Sequence, residues 1–192
     1  MTSLKGSKTE ENLLKAFAGE SQARNRYTFY AKAAQKDGFE QIAAIFLQTA
    51  EHERQHAKRY FKHLEGGVVE ITAAYPAGPL EGTTAEHLAA AAAGEKEEWT
   101  ELYPMFADIA EKEGFKDVAT TFRMVAKAEA MHEARYRKLL DNVKNKKVFR
   151  KPQKVAWKCR VCGQVIESDK APEKCPVCDH PQEYFEVFVE NY

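Results

Sequence analysis

Two short segments of the chain place a glutamate three residues before a histidine, at Glu53 and His56 and again at Glu129 and His132. Three residues of α-helix turn the chain by about 300°, so both side chains of each segment point from one helix face. Carboxylate oxygens and imidazole nitrogens suit metals such as iron and manganese. The two segments therefore predict a metal site, provided that the fold brings them together.

Four cysteines form a second candidate metal site. They are arranged in two Cys-x-x-Cys pairs, and the chain has no other cysteine: Cys159, Cys162, Cys175 and Cys178. Four thiolates at this spacing suit a tetrahedral ion, either iron or zinc. Two disulfides are a poorer interpretation, because closely spaced pairs with none left over are typical of metal binding in a reducing compartment. The residues after the pairs, Gly163 and Asp179, are expected to adopt left-handed backbone.

Four stretches carry apolar residues at helical spacing and are predicted to be helices: 9–36, 39–64, 83–113 and 114–144. Gly38 and Gly114 separate the helices of each pair, so each pair should form an antiparallel hairpin. Residues 66–82 contain β-branched residues, prolines and glycines, which predict a long crossover between the hairpins.

The two predicted hairpins are copies of each other. Displacing the sequence by 76 residues matches residues of the same type in both halves: Tyr27 with Tyr103, Ala34 with Ala110, Phe46 with Phe122, and Tyr60 with Tyr136. Nearer the start of the repeat, a displacement of 75 matches Glu20 with Glu95. A duplicated helical hairpin joined by one crossover predicts a four-helix bundle.

Glu20 and Glu95 complete the first candidate site. Glu20 lies 18 residues before Gly38 and Glu53 lies 15 after it, so an antiparallel hairpin brings them within about one helical turn in height. The repeat does the same for Glu95 and Glu129. One glutamate from each of two helices and a Glu-x-x-His from each of the other two is the arrangement of carboxylate-bridged di-iron and di-manganese bundles. Burying four carboxylates requires cations, which favours this interpretation over a solvated helix surface.

The repeat fails at one place, where Ala23 in the first copy corresponds to Glu98 in the second. Glu98 is a candidate seventh ligand, and we hypothesise that it competes with His56 for one iron, the carboxylate being favoured when the iron is ferric. Tyr27 and Tyr103 either hydrogen-bond to ligand carboxylates or pack in the core. The remaining histidines lack such partners and are interpreted as ordinary surface or local structural residues: His52, His63, His87 and His180.

Overall charge and hydropathy exclude several classes of partner. The 29 basic and 29 acidic residues cancel, so no whole-molecule field attracts nucleic acid or an anionic membrane. The longest apolar run, Leu88 to Ala93, is far too short to span a bilayer. The polar first residues and the cysteine arrangement predict a cytoplasmic protein.

The composition changes after Asn145, where a basic run around Pro152 leads into the cysteines. We predict a helical domain over residues 1–145 and a small domain over residues 146–192. The basic run is interpreted as a solvated linker, and a docking patch for an acidic redox partner is the alternative.

The order of these parts resembles the rubrerythrin family, whose members join a ferritin-like di-iron four-helix bundle to a small, β-rich rubredoxin-like domain. The resemblance covers essentially the whole chain and implies a mainly α fold. It rests on the two cysteine pairs and on four helical motifs: AGESQARNRY at 18–27, Glu53-x-x-His56, Gly94-Glu95-x-x-Glu98 and Glu129-x-x-His132.

For this chain, the resemblance implies one mononuclear iron on the four cysteines and two iron ions held by seven residues: Glu20, Glu53, His56, Glu95, Glu98, Glu129 and His132. The activity implied is reduction of hydrogen peroxide to water, with Glu98, His56, Tyr27 and Tyr103 taking part and electrons entering through the cysteine-bound iron. The partners implied are a reductase or rubredoxin as electron donor and a second copy of the chain in a head-to-tail dimer. Iron oxidation and storage, reduction of oxygen, and a non-enzymatic carrier with a zinc knuckle are the alternatives.

Overall fold

The structure is a computed structural model that describes residues 3–191. The bundle is built from five α-helices, with a short π turn at Glu98–Leu102 between the third and the fourth: α1 (Lys8–Lys36), α2 (Glu40–Phe61), α3 (Thr84–Glu97), α4 (Tyr103–Lys112) and α5 (Lys116–Lys144). A three-stranded antiparallel sheet follows: β1 (Arg150–Cys159), β2 (Val165–Lys170) and β3 (Phe185–Val187). The architecture is therefore mainly helical with a small C-terminal sheet, as predicted.

The two hairpins turn in the same way. After α1, Gly38 adopts a φ of +81°, and the backbone N–H of Phe39 donates to the carbonyl of Ala34 over 2.8 Å. After α4, Gly114 has a φ of +91°, and the N–H of Phe115 makes the equivalent 2.8 Å bond. Such helix ends need left-handed backbone, which glycine adopts without strain. The turns predicted at both glycines are confirmed.

The crossover between the hairpins is irregular, as predicted. Hydrogen bonds fasten it along α1, where the hydroxyl of Tyr75 donates to the carbonyl of Lys15 over 2.7 Å. Thr83 then caps α3, since its hydroxyl accepts from the N–H of Glu86, whose carboxylate accepts in turn from the N–H of Thr83. This reciprocal pair satisfies two backbone donors and sets the start of the second hairpin.

The third predicted helix, 83–113, is wrong in one respect because the π turn interrupts it. The N–H of Tyr103 bonds to the carbonyl of Glu98, five residues back, instead of four. The duplication explains this, since seven residues separate Glu20 from Tyr27 whereas eight separate Glu95 from Tyr103. One extra residue in a helix is absorbed by a π turn, a feature frequent at functional sites.

Aromatic side chains form one layer on each side of the carboxylates. One layer lies nearer the turn between α1 and α2 and contains Tyr27, Phe46 and Tyr136. The ring of Tyr136 is centred 5.5 Å from that of Tyr27 and 5.2 Å from that of Phe46. The repeat-related residues form the other layer: Tyr60, Tyr103 and Phe122. All six are buried, so the two layers keep bulk water away from the space between them.

The small domain packs against the bundle at the α1–α2 turn. Phe149 stacks on Phe39 with ring centroids 6.1 Å apart, and the side chain of Glu183 lies so near Gly38 that a Cβ there would be 3.0 Å away. The predicted boundary between residues 145 and 146 lies in the connection between α5 and β1. None of the described helices combines the length and apolar character needed to cross a membrane.

Candidate metal centres

Helices α1, α2, α3 and α5 each bury a glutamate between the aromatic layers. Glu20 and Glu129 are 0% exposed, and Glu53 and Glu95 are 1% exposed. Charged side chains are almost never buried to this degree without a partner. The two histidines predicted at the site, His56 and His132, are the cationic or metal-binding groups that lie beside them.

The first group joins His56 to three glutamates. Its Nδ1 atom lies 2.8 Å from Glu129 Oε1, 2.9 Å from Glu53 Oε2 and 4.0 Å from Glu20 Oε1. One donor atom from each of these four residues lies within 4.8 Å of all the others. Four oxygen and nitrogen donors at such spacing can surround one ion.

The second group joins His132 to another set of three. Its Nδ1 atom lies 2.8 Å from Glu129 Oε2, 3.2 Å from Glu53 Oε1 and 3.5 Å from Glu95 Oε2. Glu53 and Glu129 thus belong to both groups and turn one oxygen towards each histidine. The arrangement suits two ions side by side, bridged by two carboxylates.

Several buried atoms at the centre lack a hydrogen-bond partner within the described part of the chain: Glu20 Oε2, Glu53 Oε1, Glu95 Oε2, Glu129 Oε1 and Oε2, and His132 Nδ1. Orphaned polar atoms of this kind are costly unless something satisfies them. Neighbouring ligands of an ion bound at about 2.1 Å lie about 3 Å apart, which matches the nitrogen–oxygen distances here. The residues present therefore fit a pair of metal ions.

Two tyrosines hold the outer glutamates in place. The hydroxyl of Tyr27 donates to Glu95 Oε1 over 2.6 Å, and that of Tyr103 donates to Glu20 Oε1 over 2.5 Å. Each tyrosine therefore orients the glutamate of the other repeat. Glu95 keeps its second oxygen, Oε2, towards His132, and Oε2 of Glu20 has no hydrogen-bond partner among the described residues. Both possibilities raised for these residues from sequence are realised together, because each ring also packs in an aromatic layer.

Ion pairing in the metal-free chain changes the pKa of three groups. Burial alone would raise the pKa of Glu53, but the imidazoles of His132 and His56 close beside it outweigh burial and lower the pKa to about 2. Burial opposes protonation of His56, yet the adjacent carboxylates of Glu129 and Glu53 raise its pKa to about 10. Burial also opposes protonation of His132, but the carboxylates of Glu129, Glu53 and Glu95 raise its pKa to about 12. Protons thus occupy the positions that cations would take.

The remaining carboxyl groups are held towards their neutral form. Burial and the charge of Glu53 raise the pKa of Glu95 to about 8. Burial, together with neighbouring carboxylates, also raises the pKa of Glu20 and that of Glu98 well above the ordinary value. Such pKa shifts disappear when a cation neutralises the carboxylates. The two histidines supply too little positive charge to balance all the carboxylates of the cluster, so it fits additional cations.

The structure brings six of the seven predicted ligands together and leaves Glu98 outside both groups. Glu98 is half-buried at the start of the π turn and lines a cavity of about 340 Å³ with Arg26, Tyr75 and Tyr103. This cavity lies between α1, the crossover and the π turn. In the first repeat, the corresponding residue, Ala23, is buried and does not line this cavity.

One residue at the centre was missed from sequence. His52 was interpreted as an ordinary residue without a partner, but its Nδ1 lies 3.1 Å from Nε2 of His132. Its spacing to Glu53 gives no Glu-x-x-His motif, and its partner lies 80 positions away on α5. Only the paired packing of α2 against α5 reveals this contact.

The four cysteines converge at the edge of the small sheet. The sulfurs of Cys159 and Cys178 lie 3.6 Å apart, as do those of Cys162 and Cys175. A disulfide would require about 2.05 Å, whereas sulfurs on one tetrahedral ion with bonds of about 2.3 Å are about 3.8 Å apart. The four sulfurs are therefore free thiols at the spacing expected around one tetrahedral ion.

The two Cys-x-x-Cys turns match each other in backbone conformation. Gly163 has a φ of +80° and Asp179 a φ of +61°, which confirms the left-handed positions predicted for both. Burial would raise the pKa of Cys175, but hydrogen bonds from the backbone N–H groups of Cys178 and Val177 lower it to about 7. The second turn therefore stabilises a thiolate at Cys175, the form that binds metal.

Known proteins share both parts of this chain. The family model for rubrerythrin matches residues 11–140, and that for the rubredoxin-like domain of rubrerythrin matches residues 157–186. A rubrerythrin from Porphyromonas gingivalis is 61% identical over 190 residues, 99% of this chain and 94% of that protein. A rubrerythrin from Nitratidesulfovibrio vulgaris is 53% identical over 100% of both chains.

Solved structures agree in fold. A structure of mixed-valence nigerythrin superposes with a TM-score of 0.64 and 30% identity, covering 97% of this chain and 92% of that one. A bacterioferritin from Desulfovibrio desulfuricans, at 22% identity and a TM-score of 0.63, shares the ferritin-like fold. The glutamates and histidines of the bundle and the four cysteines match the iron cofactors of such proteins. This chain belongs to the rubrerythrin family.

Proposed function

We propose that this di-iron oxidoreductase is a peroxidase, which reduces hydrogen peroxide to water with electrons delivered through its cysteine-bound iron. The observation that carries the proposal is the presence, in one chain, of a buried two-ion centre and a separate four-thiolate site. A storage protein needs no dedicated electron inlet, whereas a peroxidase consumes two electrons in every turnover.

The proposed ligands of the di-iron centre are seven residues of the bundle: Glu20, Glu53, His56, Glu95, Glu98, Glu129 and His132. The proposed ligands of the single iron are the four cysteines: Cys159, Cys162, Cys175 and Cys178. The orphaned oxygens of the buried glutamates support the first set, and the thiol distances support the second.

Two bound ferrous ions would supply both electrons needed to break the O–O bond. The chain itself supplies the setting for that step. Tyr27 and Tyr103 keep the carboxylates of Glu95 and Glu20 in fixed orientations by hydrogen bonding. The aromatic layers exclude water, and the cavity beside Glu98 offers a small neutral molecule such as hydrogen peroxide a route from the surface.

We also propose that Glu98 and His56 exchange as ligands of one iron during turnover. Glu98 lies outside both groups, but burial and the nearby carboxylates of Glu95 and Glu129 raise its pKa, so it is close enough to the centre to become a ligand when the oxidation state changes. The anionic carboxylate should bind when the iron is ferric and the neutral imidazole when it is ferrous. Crystals of the reduced and oxidised protein should differ in this ligand, and identical ligands on both irons in the two states would refute the exchange.

The proposed electron route runs between two chains in a head-to-tail homodimer. The small domain packs at the α1–α2 turn, and thirteen residues of α2, about 20 Å of helix, separate Glu40 from Glu53. A partner's small domain could approach the centre more closely, through the surface depression of about 620 Å³ that His56 and His132 help to line. A reductase or a rubredoxin would then reduce the cysteine-bound iron again.

Mixing two inactive variants tests this route. One chain carries Cys162→Ser and Cys178→Ser, and the other carries Glu53→Ala and Glu129→Ala. If electrons cross between chains, refolding the two together should restore peroxidase activity that neither shows alone. Restoration should be absent if each chain serves only its own centre.

Stopped-flow oxidation of the fully reduced, iron-loaded chain tests the activity itself. Rapid reappearance of ferric iron–thiolate absorbance with hydrogen peroxide, and slow reappearance with oxygen, is the expected result. A chain with zinc in the cysteine site is the matched control, because zinc cannot pass electrons to the bundle. Faster reaction with oxygen than with peroxide would replace the proposal by an oxidase or iron-storage role.

A further inference from the structure

His52 and His132 form a pair of imidazoles that leads from the surface to the metal centre. His52 Nδ1 and His132 Nε2 lie 3.1 Å apart, and the two ring planes are nearly parallel, with an interplanar angle of 15°. His52 is half-buried in the surface depression, whereas His132 is 6% exposed and turns its other nitrogen, Nδ1, to three glutamates. Each ring nitrogen of His132 therefore has one defined neighbour or group of neighbours.

The protons of this pair can be assigned from the chemistry of imidazole. A nitrogen that binds a metal ion carries no proton, so a metal on Nδ1 leaves the single proton of neutral His132 on Nε2. That Nε2–H must donate, and His52 must accept through an unprotonated Nδ1. The opposite arrangement, in which His52 donates, would place the proton of His132 on Nδ1 and block the metal.

The duplication shows that only one of the two ligand histidines has a neighbouring imidazole to accept a hydrogen bond from its Nε2–H group. A displacement of 76 carries His56 onto His132 and His52 onto Ala128. On α5, at the position that would serve His56, a methyl group thus replaces an imidazole. The only polar side-chain contacts found for His56 within the described chain are made by its Nδ1 atom, and its Nε2 atom has no hydrogen-bond partner there.

We propose that His52 is a positioning residue, which accepts a hydrogen bond from the Nε2–H of His132 and so keeps His132 Nδ1 available as a permanent metal ligand. Ala128, at the corresponding position, has no acceptor for the Nε2–H of His56. His56 is consequently the easier of the two histidines to displace from its metal ion. The proposal rests on the proposed metal ligands. Acceptors behind metal-bound histidines usually contribute about 10- to 100-fold in metal affinity.

The first test compares Mn²⁺ binding by calorimetry in full-length chains whose cysteine site is filled with zinc. His52→Leu removes the acceptor, and His52→Gln offers an amide oxygen in its place. We expect the leucine variant to bind about 10- to 100-fold more weakly and the glutamine variant to recover most of the loss. His63→Leu is the control, because His63 is also half-buried near the end of α2 but bonds to Thr121, away from the centre.

The second test reads the proton positions directly. In the chain loaded with diamagnetic zinc at both centres, long-range ¹H–¹⁵N NMR should show the proton of His132 on Nε2, and in His52→Leu that proton should lose its hydrogen-bonded shift. Circular dichroism establishes that the variants keep their helices, and His52→Ala replaces His52→Leu if the latter unfolds. Ala128→Gln should tighten Mn²⁺ binding by supporting His56.

The outcomes separate this inference from the proposed function. Failure of the wild-type bundle to bind Mn²⁺ or Fe²⁺ would overturn both. Wild-type binding with undiminished affinity in His52→Leu, equal losses in the leucine and glutamine variants, or a proton on His132 Nδ1 would overturn only the role of His52. Weaker binding restored by glutamine, with His63→Leu unchanged, would support it.

Discussion

Loading the bundle with metal should release at least about three protons per chain at pH 7. In the metal-free chain, His132 has a pKa of about 12, His56 of about 10 and Glu95 of about 8. At pH 7 both imidazoles are therefore fully protonated and Glu95 is about nine-tenths protonated. Each must lose its proton to bind a cation, and Glu20, whose pKa is also raised, can only add to the number.

The sign of the pH dependence follows from the same groups. Because protons compete with the metal, its apparent affinity should rise with pH through the neutral range and continue to rise towards the pKa of His56, about 10. Glu53, with a pKa of about 2, is already ionised and should contribute nothing above pH 4. A bundle whose histidines and glutamates had ordinary pKa values would instead lose its pH dependence above about pH 7.5.

Isothermal titration with Mn²⁺ in buffers of different ionisation enthalpy measures the protons released. The cysteine site should first be filled with zinc, so that no thiol contributes. His56→Ala, a variant that lacks one of the three groups, should release about one proton fewer. Release of fewer than one proton per chain from the wild type at pH 7 would refute the ion-paired arrangement of the buried cluster.

Three further changes test the supporting structure. Tyr103→Phe removes the bond to Glu20 and should weaken Mn²⁺ binding about tenfold by calorimetry, whereas Tyr184→Phe in the small domain should not. Phe122→Ala, at a position 0% exposed, should lower the free energy of unfolding by about 3–5 kcal/mol in urea titrations, against less than about 1 kcal/mol for half-exposed Phe29→Ala. Deleting exposed Thr100 should restore a regular helix, keep Mn²⁺ binding and slow oxidation by peroxide in stopped flow, since the cavity beside Glu98 would narrow.

Most of the fold could be predicted because the duplication repeats its signals. Helical periodicity, Gly38 and Gly114 occur at matched places in both hairpins, and the crossover carries residues that no helix accommodates. The interruption at Glu98–Leu102 was not predicted, although the change of displacement from 75 to 76 was visible. A one-residue slip in a repeat can be placed in a turn as easily as in a helix, and only the backbone hydrogen bonds distinguish these cases.

The candidate site was predictable as far as helical geometry reaches. Spacing of three along one helix and equal distances from a turn suffice to gather Glu20, Glu53 and their counterparts. Contacts between helices are another matter. The crossed bonds of Tyr27 and Tyr103, and the approach of His52 to His132, depend on which helix faces which and at what height, and no single segment of the sequence encodes that.

The departures from duplication have a common consequence for the chemistry. Two identical hairpins would hold two ions in equivalent surroundings, with nothing to decide which ion changes its ligands when electrons are gained or lost. Here Glu98 replaces the buried Ala23 of the first repeat, and Ala128 replaces the anchoring His52. The second repeat therefore has an additional carboxylate beside a cavity, and it lacks a hydrogen-bond acceptor for His56. Ligand exchange is expected at the iron next to His56, while the iron next to His132 keeps its surroundings, so one half of an ancestral symmetric centre can react while the other stays fixed.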